Sequence, residues 1–120
     1  MPILGIDHVQ LAMPVGGEDA ARSFYRDVLS LSEQPKPAVL AQRGGCWFAN
    51  EAVQIHLGVE RDFRPAKKAH PAFRVDALDS IVAECRARGL EVVAADPLDG
   101  YRRVHVHDPF GNRIELLQAT

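Results

Sequence analysis

The chain is poor in cysteine and tryptophan, has no excess of positive charge, and carries no long apolar run. Its two cysteines, Cys46 and Cys85, stand far apart and outside any CxxC spacing. That pattern fits reduced, structural thiols in a cytoplasmic protein better than a disulfide framework. Lysine and arginine number 14 against 16 acidic residues, a formal charge of -2. No basic excess drives binding to a phosphate backbone, so nucleic acid is not an expected partner. The apolar runs fall far short of the roughly 18 residues that span a bilayer, so no membrane partner is expected either. Met1-Pro2-Ile3-Leu4-Gly5 has no basic segment and no long apolar stretch, which predicts no signal peptide. What is present is 120 residues, 47% hydrophobic and 25% charged, enough for one globular domain with a single sizeable core.

The chain repeats itself. Residues 7–14 and 69–76 both place a histidine second, His8 and His70, and then alternate apolar with other residues as a half-buried strand does. Gln54-Ile55-His56-Leu57 aligns with Arg113-Ile114-Glu115-Leu116 at almost the same offset. In the first copy, Ala21, Phe24, Tyr25, Val28 and Leu29 form the apolar stripe of a helix over 18–29. In the second, Leu78, Ile81, Val82 and Cys85 do the same, with Asp76 or Asp79 as the expected cap and Gly89 as the stop. Strands are expected at 38–42, 46–49 and 52–59 in the first copy, the last two joined by a turn at Asn50-Glu51. The second copy offers strands at 91–94, 102–107 and 113–118, with Asp108-Pro109-Phe110-Gly111-Asn112 as a hairpin turn. The reading is α+β: two tandem βαβββ modules in one domain over 1–120. Module one covers 1–60, a polar connector 61–68, and module two 69–120.

Strand periodicity then sorts the side chains. Val53, Ile55, Leu57 and Val59 belong on the helix-facing side, leaving Gln54, His56 and Gly58 opposite. The same rule puts His8 and Gln10 on the polar face of the first strand, and His70 and Arg74 on that of the first strand of module two. Arg103, His105 and Glu115 share the polar face of the last two strands. The repeat thus selects three imidazoles and one carboxylate, His8, His56, His70 and Glu115, at equivalent places. Such a donor set suits one divalent ion: Zn, Ni, Co, Mn or Fe(II). No local HExxH spacing occurs.

These stretches, Gly5-Ile6-Asp7-His8-Val9, Gln54-Ile55-His56-Leu57, Ala69-His70-Pro71-Ala72-Phe73 and Asp108-Pro109-Phe110-Gly111-Asn112-Arg113-Ile114-Glu115-Leu116, resemble the vicinal oxygen chelate superfamily. It is also called the glyoxalase/bleomycin resistance protein/extradiol dioxygenase family. The resemblance implies paired modules whose sheets curl into a cup around one divalent metal. It places the ligands at His8, His56, His70 and Glu115, and forms the cup within one chain or across a homodimer. Glyoxalase-type members usually carry Glu, and epimerases Gln, where this chain has His56, which leaves Glu115 as the only carboxylate base among the ligands. The implied activity is that of a lyase or isomerase. Its small substrate chelates the metal through adjacent oxygens while Glu115 moves the proton.

Two alternatives follow from the same resemblance. His8, His70 and Glu115 match the 2-His-1-carboxylate set of Fe(II) ring-cleaving dioxygenases, and a bleomycin-resistance-type protein would bind a drug or metabolite without turnover. The fosfomycin thiol transferases also resemble this subset, but they need phosphonate-binding groups near the C-terminus, and this chain ends at Thr120. For substrate binding, Arg74, Arg103 and His105 supply cationic or polar groups suited to a carboxylate, phosphate or enolate. Gln10 and Gln54 are candidates for orienting ligands or substrate. Trp47 and Phe48 are expected to pack in the core, and both cysteines to be buried.

Overall fold

Apolar alternation gives the first unit of the chain a sheet with one helix-facing side. The computed structural model describes residues 2–120, which divide into two compact units between Arg64 and Pro65. In the first, β1 (Val9–Met13), β2 (Ser32–Gln34), β3 (Cys46–Ala49) and β4 (Gln54–Val59) are ordered β1-β4-β3-β2. β1 runs parallel to β4, and the other neighbours are antiparallel. The expected stripe is in place: Ala21, Phe24, Tyr25 and Val28 are buried with Met13, Phe48, Ile55 and Leu57. Tyr25 meets Phe24 edge-on at 4.8 Å and stacks over Phe48 at 5.7 Å. Aromatic contacts of this kind add to the roughly 1.5–3 kcal/mol that burying each such side chain contributes.

Three local expectations for this unit are corrected. The helix over 18–29 is a short α1 (Glu18–Ala21) continued by a π-helical stretch (Arg22–Val28), in which the Leu29 amide donates to the Phe24 carbonyl five residues back, at 3.0 Å. Residues 38–41 are a helical turn, α2 (Ala38–Ala41), rather than a strand. Pro37 fixes φ at -53° and its carbonyl accepts from the Leu40 and Ala41 amides, so the chain starts a helix there. The strand that precedes β3 is β2 (Ser32–Gln34) instead, a polar edge whose side chains lack the alternation that marks a half-buried strand. The expected turn does form: Asn50 Oδ1 accepts from the Ala52 and Val53 amides at 2.8 and 2.9 Å. Gly45, at φ +85°, lets β3 approach β4 so closely that a Cβ there would stand 2.1 Å from the Leu57 carbonyl oxygen.

The second unit repeats the plan. β5 (Ala72–Arg74), β6 (Val92–Ala94), β7 (Tyr101–His107) and β8 (Arg113–Ala119) are ordered β5-β8-β7-β6, with β5 parallel to β8. α3 (Leu78–Ala87) buries Leu78, Val82 and Cys85, and Val106, Ile114 and Leu116 are buried on the sheet. Neither Asp76 nor Asp79 caps α3. Ala77 holds the N-cap position, and the Leu78 amide is met by Gln118 Oε1 from β8 at 2.9 Å. Tertiary structure thus supplies the acceptor that local sequence was expected to provide, and Asp79 pairs with Arg102 instead. Gly89 ends the helix at φ +74° as expected.

The Asp108–Asn112 turn does more than reverse the chain. Asp108 Oδ1 accepts from the Phe110 and Asn112 amides, each at 2.9 Å, and both Asp108 and Asn112 are buried. Asn112 Oδ1 accepts from the Ala66 amide at 2.9 Å, while Ala66 returns its carbonyl to the Arg113 amide. The turn therefore fastens the segment leading to His70. Among the described residues no helix is long and apolar enough to cross a membrane.

Candidate metal centre

Register turns the repeat into geometry. Gln10 pairs with His56 across β1 and β4, and Ala72 pairs with Glu115 across β5 and β8. His8 lies two residues before Gln10 and His70 two before Ala72, so the two pairs His8/His56 and His70/Glu115 occupy equivalent places in their units. Both leading histidines sit just before their strands rather than within them.

In the second unit, His70 Nε2 lies 3.0 Å from Glu115 Oε1, and His105 Nε2 lies 3.5 Å from the same oxygen. The donor atoms of His70, His105 and Glu115 all fall within 4.8 Å of one another. His105 reaches this place because it faces Glu115 across β7 and β8. Arg103 Nη1 approaches the other carboxylate oxygen at 3.4 Å. Burial pushes the Glu115 carboxyl up, but His70, Arg103 and His105 together outweigh that and hold it below its ordinary range. His105 is pushed down by its own burial and by Arg113, against an opposing pull from Glu115.

The hydrogen bonds fit a cation. His70 Nδ1 lies 2.7 Å from the Lys68 carbonyl. A carbonyl can only accept, so Nδ1 carries a proton; with Nε2 unprotonated, the ring offers a lone pair there. That lone pair points at a carboxylate oxygen, an arrangement of two acceptors that a proton or a metal ion between them resolves. Donation of the distal N–H to a backbone carbonyl is also how metal-ligating histidines are commonly oriented. A divalent ion of borderline character suits two imidazoles and one carboxylate.

The first unit places its residues differently. His56 is buried and sandwiched: Trp47 stacks on one face at 4.1 Å and 8°, and His8 on the other at 4.1 Å and 16°. Burial, and then repulsion from His8, hold His56 below its ordinary value despite Asp7. His8 Nδ1 is bound by Asp7 Oδ2 at 2.8 Å, which leaves its Nε2 as the free nitrogen. Gln54 Nε2 donates to the Asp7 carbonyl at 3.2 Å, bracing this turn of chain. Gln10 lies against Gly58, where its amide would meet any added Cβ at 2.6 Å. Arg74 is exposed on β5, in register with Leu117, while Arg103 is drawn to Glu115 rather than standing free. Phe48 is in the core as expected; Trp47 is not, because its strand neighbour Cys46 and successor Phe48 take the inward positions. Trp47 holds the place against His56 that His105 holds against Glu115. Extending the repeat to β3 and β7 carries the signal that would have found both.

A fold of two βαβββ units with a cluster of two histidines and a glutamate defines a class of metal-competent protein. The model of the glyoxalase/bleomycin resistance protein/dioxygenase superfamily matches residues 5–116, and the chain belongs to that superfamily. Among solved structures, a Bacillus anthracis protein assigned to the glyoxalase family is 48% identical, with a TM-score of 0.89 over 98% of this chain and 97% of that one. The fosfomycin resistance protein FosX from Listeria monocytogenes shares the fold at 18% identity and TM-score 0.79, over 98% of this chain and 93% of that one. A glutamate-to-glutamine variant of that FosX, in complex with Mn(II) and 1S,2S-dihydroxypropylphosphonic acid, is similar at 16% identity and TM-score 0.78, over 98% and 94% of the two chains. No curated protein matches the chain.

Proposed function

We propose that the protein is a divalent-metal-dependent lyase or isomerase acting on a small substrate that chelates through adjacent oxygens. The observation that carries this reading is Glu115, a buried carboxylate held ionised by His70, Arg103 and His105, with two imidazole nitrogens converging on it. His8, His56, His70 and Glu115 are the proposed ligands, contributed by one chain or by two copies in a homodimer. Each sheet ends on an open strand, β1 or β5, an edge that a second copy can cover. The ion, when bound, supplies Lewis acidity that polarises the two substrate oxygens and raises the acidity of the neighbouring C–H.

The chain's own residues do the rest. Glu115 accepts the proton from carbon and returns it, its depressed pKa keeping the base form available at neutral pH. The Lys68 carbonyl and Asp7 orient His70 and His8. Arg74, Arg103 and His105 favour an anionic or enolate-like substrate. The FosX complex with Mn(II) and a dihydroxylated phosphonate supports a divalent ion and a small oxygen-rich ligand in this fold. A cytoplasmic location is part of the same reading.

The two-histidine, one-carboxylate composition also favours a second reading, an Fe(II) ring-cleaving dioxygenase. Metal-stripped protein reloaded separately with Zn(II), Ni(II), Co(II), Mn(II) and Fe(II) distinguishes them. The primary reading expects turnover of thiol adducts of 2-oxoaldehydes or of acyl-CoA epimers, dependent on metal and lost in Glu115→Gln. Fe(II)-dependent O₂ uptake with catechols selects the dioxygenase. Stoichiometric ligand binding that survives a chelator, with no turnover, leaves a binding protein and overturns both.

A further inference from the structure

The two units are not equal in donor atoms. The place against His56 is taken by Trp47, which cannot ligate through its ring, whereas the matching place against Glu115 is taken by His105. We infer that the second unit holds a divalent cation with three side chains of its own, His70, His105 and Glu115, so that His105 is a ligand rather than a substrate-binding group. This rests on the metal-dependent reading above and adds to its ligand set.

The geometry carries it in three steps. Three donor atoms from β7, β8 and the segment just before β5 lie within 4.8 Å of one another. His105 Nε2 is buried and stands 3.5 Å from Glu115 Oε1, beyond a good N–H···O distance, without another hydrogen-bond partner. A buried polar nitrogen left in that state is costly, and a cation between it and the carboxylate satisfies both. Finally, the Nδ1 proton of His70 is committed to the Lys68 carbonyl, which leaves Nε2 as the nitrogen that faces a cation.

The test titrates Co(II) into chelator-treated full-length protein, following heat and visible absorption, with the Co(II)-loaded forms compared by paramagnetic NMR. The inference expects the His8→Ala/His56→Ala protein still to bind Co(II) through the three donors of the second unit, more weakly than wild type does. It expects His105→Gln to lose more than the ~10–100-fold that removing an outer-shell partner costs. His105→Gln should also change the visible band and remove one contact-shifted imidazole resonance. His105→Asn is the second variant should Gln disturb folding. Unchanged Co(II) affinity and spectrum in His105→Gln, or abolished binding in the His8/His56 double variant, overturns the inference and leaves the proposed function standing. Wild-type protein that binds no Co(II) overturns the proposed function as well.

Discussion

Glu115→Gln isolates one charge in the second unit without changing its shape. Glu115 is the carboxylate nearest Arg103, at 3.4 Å, and the two side chains are only 10% and 19% exposed. At an effective dielectric of 20, unit charges at that distance attract by about 5 kcal/mol, most of it offset by the desolvation of both groups. Gln keeps the shape and offers both an oxygen and an amide NH2 to the two imidazoles, so the measurable cost is the guanidinium left without its counter-charge, about 1–3 kcal/mol. For a domain of this size that lowers Tm by about 4–12 °C. Urea and thermal unfolding of the apoprotein in chelator at pH 7.5 reads the loss. A cycle with Arg103→Met then assigns it to the pair, with a coupling of at least about 1 kcal/mol expected. Coupling below about 0.5 kcal/mol, or a Glu115→Gln protein as stable as wild type, refutes the claim that Arg103 and Glu115 hold each other. A Glu115→Gln protein that does lose this stability tests more than proton transfer, so its activity is read only at temperatures where it stays folded.

The repeat made most of this fold readable, because each buried stripe is local. Ile55 and Leu57, or Phe24, Tyr25 and Val28, announce their face by spacing that nothing elsewhere in the chain alters. The His70/Glu115 pairing was legible for the same reason: two copies of one pattern place them, and β5 and β8 run in the register that brings them together. What failed was decided by sequence-distant partners or by the backbone. Residues 38–41 look apolar and alternate weakly, but the fixed φ of Pro37 starts a helix. The α3 cap looks like an aspartate's place, yet Gln118 from the far end of the chain takes the bond. Trp47 looks like core because it is the largest apolar side chain, but strand alternation gives the inside to Cys46 and Phe48. That leaves the indole against His56. The role of His105 depends on which residue faces Glu115 across a hairpin, a fact set by the turn's length and not by composition.

Three further outcomes are expected. Gly45→Ala forces a Cβ to within 2.1 Å of the Leu57 carbonyl at φ +85°, whereas Gly16→Ala at φ +80° meets nothing within 4 Å. Urea unfolding should find Gly45→Ala the more destabilising by about 1–3 kcal/mol, the cost of overpacking added to a shared φ penalty, and equal losses would contradict the close β3–β4 approach. Trp47 is the sole tryptophan and stacks on His56, so Ni(II) or Co(II) held by His56 should quench its emission saturably, and His56→Ala should abolish that response. Emission indifferent to a metal that calorimetry shows to be bound would remove His56 from the ligand set. Acid should weaken the apoprotein before any carboxylate is involved. Burial, with His8 for His56 and Arg113 for His105, holds both imidazoles below the ordinary value of 6.5. As pH falls below 6.5 the unfolded chain takes up protons at these two positions that the folded one refuses, so stability drops with falling pH. Glu115 acts in the same direction, but its pKa lies below the ordinary 4.5, so its contribution is intact above that value and is lost only at lower pH. Urea midpoints in chelator should therefore decline from pH 7 to pH 5.5 and decline less in His56→Gln. A midpoint flat over that interval would mean that neither imidazole is desolvated in solution as the stacked and buried geometry requires.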